Sequence, residues 1–422
     1  MGYPCLIHVT PGCIPGAPVV VTNASRCAGL YSLLLYGVGG LYTAEVSCFE
    51  SLTVERKVNT PAKAIITFDA RDEINQYLNL DTMVEVWRSN PLLGIGLYKE
   101  SELFHRTGKY YWDEKAQAKF VSSLVGYENL LDRRVLLGGD DEAYCIGYPT
   151  ETSMKRMVMV QCNVQGSRNL ISSPVLGLTV DGDLARGATW TGYRKGAKLL
   201  SYLQEIAEAK DMAFKVIGVV PGTFVFKAYP NPFGADRTAT GMNRTTGRNS
   251  AGNIPIIFSE QRGNVSTMGY GMMREVEGNI AVDVNNNLYV KGSGDTDSPW
   301  NHCEFTMSTP TDETTDNVAA TALASTGAWE DVPVTVIQSP SCCYGKHYFL
   351  GDRVSVYVAI PGVGKVITKV ITGMKLTVSR TQGELDEKIE LELSSLARVS
   401  RDPIQEALIN LTKRLRKVEL RV

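Results

Sequence analysis

Leu52-Thr53-Val54-Glu55-Arg56-Lys57-Val58 and Ala64-Ile65-Ile66-Thr67-Phe68, parted by Asn59-Thr60-Pro61, decide the fold class. Both runs are rich in β-branched side chains and too short for helices, and the Asn and Pro between them are turn formers. Met83-Val84-Glu85-Val86-Trp87 alternates in the same way and ends at Asn90-Pro91. Further strands are predicted at Gly94–Tyr98, Lys109–Trp112 and Ala118–Leu124. Short alternating strands with a turn signal about every ten residues predict a small antiparallel barrel or sandwich.

Upstream, residues 1–44 are rich in Gly, Pro and Cys, and Arg26 is their one Lys, Arg, Asp or Glu. They predict an extended arm or a small strand-loop cap. An apolar terminus of this kind needs a surface to cover, and a neighbouring subunit is the expected one.

Downstream, the pattern changes near Asp140. Glu151 to Cys162 fits an amphipathic helix, and Val175–Val180 a strand. Thr191 to Met212 places Leu199, Leu200, Leu203, Ile206 and Ala207 on one helical face. Phe214–Val220 and Thr223–Ala228 predict a hairpin across Pro221-Gly222. Tyr229 to Asn253 has no apolar periodicity and predicts a long loop, a place where function concentrates. Its Arg237, Arg244 and Arg248 are candidate contacts for an anion or an acidic partner.

Strands resume at Ile254–Ser259, Ile280–Val284 and Asn287–Lys291, followed by a short helix near Asp316–Ala324. Val332–Gln338, Gly351–Ile360, Lys365–Thr372, Leu376–Ser379 and Lys388–Leu393 then predict a second small barrel. Asp402-Pro403 supplies an N-cap and a proline at the first helical position. Ile404, Leu408, Leu411, Leu415 and Val418 follow as a heptad stripe, which makes them candidate assembly contacts. Residues 401–422 hold six basic and three acidic side chains, so this end is locally positive.

The predicted class is α+β, mainly β: two small antiparallel β-barrel-like modules flanking an α+β middle region, with a C-terminal helix. The expected divisions are an arm over 1–44, a first barrel over 45–148 and an α+β domain over 149–268 with its long loop at 229–253. A mixed strand and helix segment follows over 269–338, then a second barrel over 339–400 and the heptad helix over 401–422.

Composition bounds the function. With 422 residues, 44% apolar and 21% charged, the chain is long enough for several domains and too apolar to be disordered. Forty-three basic against 45 acidic residues exclude a polycationic nucleic-acid coat, though not a local basic patch. The apolar stretch Ala28–Ala44 is broken by Gly37, Gly39 and Gly40 and falls short of a membrane span, and no basic segment of a signal peptide precedes it. Nine cysteines without any CxxC predict reduced, mostly buried thiols.

Catalytic motifs are missing: no HExxH, GxSxG or strand-linked GxGxxG occurs. Gly362-Val363-Gly364-Lys365 lacks the rest of a phosphate loop and predicts a hairpin turn. Asp181-Gly182-Asp183 and Asp283-Val284-Asn285-Asn286-Asn287 lack the terminal Glu of a calcium loop and predict turns. His302-Cys303, and Cys342-Cys343 with His347, lack zinc-knuckle spacing. Asp140-Asp141-Glu142 beside two glycines predicts a solvated turn rather than a glycosidase pair. No catalytic residue, cofactor or metal is expected.

Several segments in order carry a family resemblance. Val125-Gly126-Tyr127-Glu128-Asn129-Leu130-Leu131-Asp132-Arg133-Arg134-Val135 comes first, then Glu151-Thr152-Ser153-Met154-Lys155. Phe233-Gly234-Ala235-Asp236-Arg237-Thr238 leads to Ile256-Ile257-Phe258-Ser259 and Gly263-Asn264-Val265, and Tyr348-Phe349-Leu350-Gly351-Asp352-Arg353-Val354-Ser355-Val356 comes last. Together they resemble the tail hub (baseplate hub) proteins of siphophages, over about residues 45 to 395. The arm and the heptad helix fall outside the match.

That resemblance implies a structural virion protein rather than an enzyme. Three copies with two barrels each would form a homotrimeric ring of pseudo-sixfold symmetry, joining the sixfold tail tube to the threefold tail tip around the DNA channel. The implied partners are the tail tube or distal tail protein, a tail-tip fibre or spike protein and the tape-measure protein, with DNA only in transit. The implied location is the phage tail tip or baseplate of the virion, assembled in the host cytoplasm. Two other readings stand beside it: a tail-tip hydrolase of host wall or capsule, and a receptor- or glycan-binding tail module. Against the last, Trp87, Trp112, Trp190, Trp300 and Trp329 lie far apart in sequence.

Overall fold

The computed structural model describes residues 31–394 apart from 38, 48, 71–73, 113–117, 137–144, 165–176, 193–195, 274–278, 285–287, 292–301, 308–313, 327–328, 361–362 and 382–383. The heptad residues Ile404, Leu408, Leu411, Leu415 and Val418, and the arm over 1–30, lie outside the described residues. Among the described residues no helix is long and apolar enough to cross a membrane.

The chain is mainly β. Its first part forms strands β1 (Tyr31–Tyr36), β2 (Tyr42–Val46), β3 (Ser51–Lys57), β4 (Thr60–Asp69), β5 (Met83–Asn90), β6 (Ile95–Trp112) and β7 (Ala118–Gly126). Within the stretch read as an arm, β1 alternates buried Tyr31, Leu33 and Leu35 with half-buried neighbours and pairs with both β2 and β5. The β3–β4 turn is closed by Asn59 at φ 61, a left-handed conformation that Asn tolerates better than most residues.

The middle contains α1 (Asn129–Asp132), β8 (Cys145–Pro149), α2 (Thr150–Met159), β9 (Gly177–Val180), β10 (Thr189–Gly192), α3 (Leu199–Ala209), β11 (Met212–Val220) and β12 (Thr223–Pro230). The predicted hairpin is β11–β12, turning at Gly222 with φ 87, and β9 adds in parallel to β12. The helix predicted from Thr191 starts only at Leu199: residues 189–192 pair with β8 instead, and Trp190 is buried. A glycine at 192 and another at 196 with φ 78 favour that break. Leu199, Leu203 and Ile206 of α3 join Met154, Met157 and Val158 of α2 in the core of this region.

The last part comprises β13 (Asp236–Arg237), β14 (Ile257–Phe258), β15 (Val265–Met268), β16 (Gly271–Met273), β17 (Ile280–Asp283), β18 (Leu288–Lys291), β19 (Glu304–Met307), α4 (Thr315–Thr326), β20 (Trp329–Val336), β21 (Arg353–Ile360), β22 (Val363–Thr381) and β23 (Glu384–Ser394). β17 to β19 form a small sheet against α4.

Neither expected module closes into a barrel of its own among the described residues. One 15-stranded sheet runs β15-β20-β23-β22-β3-β4-β7-β6-β5-β1-β2, with β13, β14, β16 and β21 attached beside that path. The physical reason is the length of β22. Its first half pairs with β21, while its second half, Gly373 to Ser379, pairs with β3. Inward residues Leu52, Val54, Leu376, Val378, Ile389 and Leu391 share one core across that seam.

Candidate functional site

With both ends of the chain on one sheet, the chemistry worth examining is what locks them together. Arg88 lies at the inward parity of β5, in line with Val84 and Val86, and is fully buried. Glu387 takes the inward parity of β23, in line with Ile389 and Leu391. Arg88 Nε donates to Glu387 Oε2 at 3.0 Å and its Nη2 donates to Oε1, a fork that matches the carboxylate plane. Its Nη1 donates to the Tyr98 hydroxyl at 2.8 Å and to the Tyr344 carbonyl at 3.0 Å. The Tyr31 hydroxyl also donates to Glu387.

A second pair adjoins the first. Tyr98 OH donates to Glu100 Oε2 at 2.6 Å, and Arg56 Nη1 reaches the Glu100 carbonyl at 2.8 Å and Oε1 at 3.2 Å. Two arginines face two glutamates, so the buried network is neutral as a whole. Burial disfavours the charged guanidinium of Arg88, but Tyr31 and Glu387 outweigh it and hold the proton more firmly than usual. Burial likewise pushes the Tyr31 and Tyr98 hydroxyls up, which keeps both as neutral donors. Strands β1, β3, β5 and β6 thus bond to β23 and to the segment around Tyr344.

Next to this network lies a cleft of about 480 Å³, lined by Arg56, Glu100 and Glu102 of the first strands, by Lys215 and Val216 of β11, and by Tyr344 and Phe349. Glu128 points into it and accepts from the Val216 amide at 3.4 Å. Burial raises its carboxyl to about 7. Glu102 accepts from Gly218 N at 3.1 Å and pairs with Lys99 at 2.7 Å. These acids therefore hold β11 against β6 rather than pointing at an open pocket.

Glu151, at the start of α2, organises another junction. It is fully buried and accepts from Lys155 Nζ at 2.6 Å, Arg186 Nε at 2.7 Å and Arg186 N at 3.0 Å. Burial alone would raise its carboxyl; the bonds from Arg186 and Lys155 overcome that and bring it to about 2. Asp181, in the segment read as a turn rather than a calcium loop, pairs with Lys155 at 2.6 Å.

The three loop arginines play different parts. Arg237 lies in β13 and donates to Asp352 Oδ2 at 2.9 Å, which ties the loop to the start of β21. Arg244 and Arg248 sit on the exposed end of the loop, where Arg248 Nη1 donates to the Gly252 carbonyl at 2.6 Å. Buried Asn249 shapes the loop from within, donating to the carbonyls of Asp236 and Thr238 and accepting from the amides of Ala251 and Asn253.

Cys342 and Cys343 are buried, and Cys343 Sγ lies 3.3 Å from His347 Nδ1. Burial pushes both thiols up, the opposite of what a nucleophile needs. Among the described residues, no three or more His, Cys, Asp or Glu side chains converge as a metal site.

Known proteins can now be set beside this geometry. The family model described as Siphovirus ReqiPepy6 Gp37-like protein matches residues 303–389, from β19 to Ile389. A tail protein from Neisseria meningitidis MC58 superposes with TM-score 0.51 at 12% identity, covering 86% of this chain and 96% of that one. This chain shares that tail protein's fold. The prophage tail protein gp18 from Listeria monocytogenes EGD-e gives TM-score 0.49 at 10% identity, covering 91% and 99% of the two chains. The prophage MuSo2 43 kDa tail protein from Shewanella oneidensis gives 0.48 at 11%, covering 86% and 96%. No curated protein sequence matches. The resemblance to phage tail proteins read from the sequence is borne out, and the matched family segment includes both Tyr348–Val356 and Glu387.

Proposed function

We propose that the chain is a structural protein of the virion, the hub of a siphophage tail. Three copies close a ring of pseudo-sixfold symmetry that joins the tail tube or distal tail protein to the tail-tip fibre or spike and surrounds the DNA channel. The observation that carries this reading is the β3–β22 pairing, which makes the first and last strand groups one rigid body. A ring between a tube and a tip transmits force, and a rigid subunit whose two halves cannot hinge suits that task. The neutral Arg88–Glu387 and Arg56–Glu100 network supports the same reading, because its arginines and acids are spent on internal contacts.

In this reading the two strand groups present two positions per copy to the tube, and ring closure uses head-to-tail contacts between unlike faces. The heptad residues Ile404 to Val418 and the exposed Arg244 and Arg248 are the contacts offered to other copies, to the tape-measure protein or to the tip. Light scattering on the purified chain, at low and high micromolar concentration, tests the proposal. A threefold mass is expected. A monomer at both concentrations that also fails to form rings on its isolated tail tube overturns it.

A further inference from the structure

Strand β2 ends the large sheet on its side, with no strand beyond it among the described residues. An edge strand offers a row of backbone donors and acceptors to any extended segment nearby. Beside it lies an apolar patch in which Leu41 is 76% exposed, Val219 60% and Val220 57%. The patch is continuous because the β1–β2 turn sits directly on the β11–β12 turn. A Cβ at Gly40 would collide with the carbonyl of Pro221, and Gly40 itself has φ +82.

We propose that Val19-Val20-Val21-Thr22 of the same chain adds as a strand to the outer edge of β2 and lays its valines against Leu41, Val219 and Val220. Three observations select this occupant. The patch is apolar, and among Lys, Arg, Asp and Glu the first 30 residues contain Arg26 alone. Four consecutive β-branched residues follow Pro18, the composition an added strand needs. The third is position: Leu33 of β1 lies opposite Val46 of β2, so the chain leading into Tyr31 emerges beside the Val46 end of β2.

Residues 23–30 bridge Thr22 and Tyr31 and can span up to about 26 Å, whereas crossing two strand spacings takes about 10 Å. The added strand then runs parallel to β2. So short a tether holds the segment at an effective concentration on the order of millimolar, which favours it over a second copy in dilute solution.

Hydrogen exchange on the full chain, read by mass spectrometry over residues 41–47, tests the proposal. Val20→Pro removes a backbone donor and blocks the strand; a variant lacking residues 1–22 removes it altogether. Both should speed exchange over 41–47 by about tenfold, the loss of a backbone hydrogen bond's protection. Residues 353–360 of β21 should keep the full-length rate. Unchanged exchange at 41–47 in both variants overturns the proposal. So does protection that grows with protein concentration, which would bring the strand from a second copy, and so does loss of protection over 353–360, which would make the segment a support of the whole fold.

Discussion

Arg88 and Glu387 lie 299 residues apart and meet through two parallel hydrogen bonds, with the arginine fully buried and the glutamate side chain 9% exposed. One strand from each end of the chain is thereby pinned by charge at a point where all neighbouring side chains are apolar or aromatic. A buried pair adds little net stability when it replaces well-packed apolar residues, but it penalises any arrangement that separates the partners. It makes the joint specific.

Removing one partner should therefore cost far more than removing both. Arg88→Met leaves Glu387 buried without its fork, and about 3–5 kcal/mol of stability should be lost. The double variant Arg88→Met/Glu387→Leu should recover most of it. Denaturant unfolding of the two single variants and the double variant measures the coupling. Additive losses would show that the pair does not act as a unit.

The same pair shows how far the sequence could be read. Alternation in Met83–Trp87 identified β5, and continuing that parity by one step puts Arg88 on the core face beside Val84 and Val86. Glu387 continues the parity of Ile389 and Leu391. A basic and an acidic residue, each at an inward position, was a legible signal that sequence analysis missed, because charges in strands read as solvent-facing by default. Strand lengths were lost for a different reason. Gly94–Tyr98 and Lys109–Trp112 are one strand, β6, and Lys365–Thr372 and Leu376–Ser379 are one strand, β22. Each apparent break coincides with a register shift, between His105 and Thr107 and between Ile371 and Gly373. A bulge interrupts alternation without ending the strand. The β3–β22 pairing, which merges the two expected modules, joins segments more than 300 residues apart and leaves no local trace.

Glu151 gives a prediction in acid. Its folded carboxyl titrates at about 2, below its ordinary value, so the stability it contributes is present above that ordinary value and is lost as pH falls toward 2. Glu151→Gln should cost about 2 kcal/mol at neutral pH and flatten the fall in stability between roughly pH 5 and 2. Exchange of residues 181–186, held by Glu151 through Arg186 and Leu184, should quicken at the same time. Stability curves of the two proteins that run parallel across that range would refute this.

Glu128 gives the opposite sign. Burial lifts its carboxyl to about 7, so its protonated form suits the fold, and stability is full below its ordinary value and falls as pH rises through 7. Glu128→Gln keeps an acceptor for the Val216 amide and removes the charge. The variant should match the parent protein at pH 4 and exceed it at pH 8 by on the order of 1 kcal/mol, discounted for the partial exposure of the side chain. Thermal unfolding at both pH values checks this, and a variant less stable at pH 8 would count against it.

The outer face of the shared sheet makes the last prediction. Register places Lys63 opposite Glu55, Glu55 opposite Lys375, and Lys375 opposite Glu390, a row of alternating charge across β4, β3, β22 and β23. Lys57 and Glu392 repeat the pattern one row along, at 2.8 Å. Directly opposed pairs on neighbouring strands each contribute a fraction of a kcal/mol when unlike and cost as much when alike. Lys375→Glu puts a third carboxylate between Glu55 and Glu390 and should destabilise the protein by about 1 kcal/mol. Because Lys375 is half exposed, screening should erase most of that loss in 1 M salt, where the Debye length is about 3 Å. Urea unfolding at low and high salt separates the causes. A loss that persists undiminished in high salt would trace to packing of the lysine stem, and the alternating charges would then have no part in holding the two ends of the chain in register.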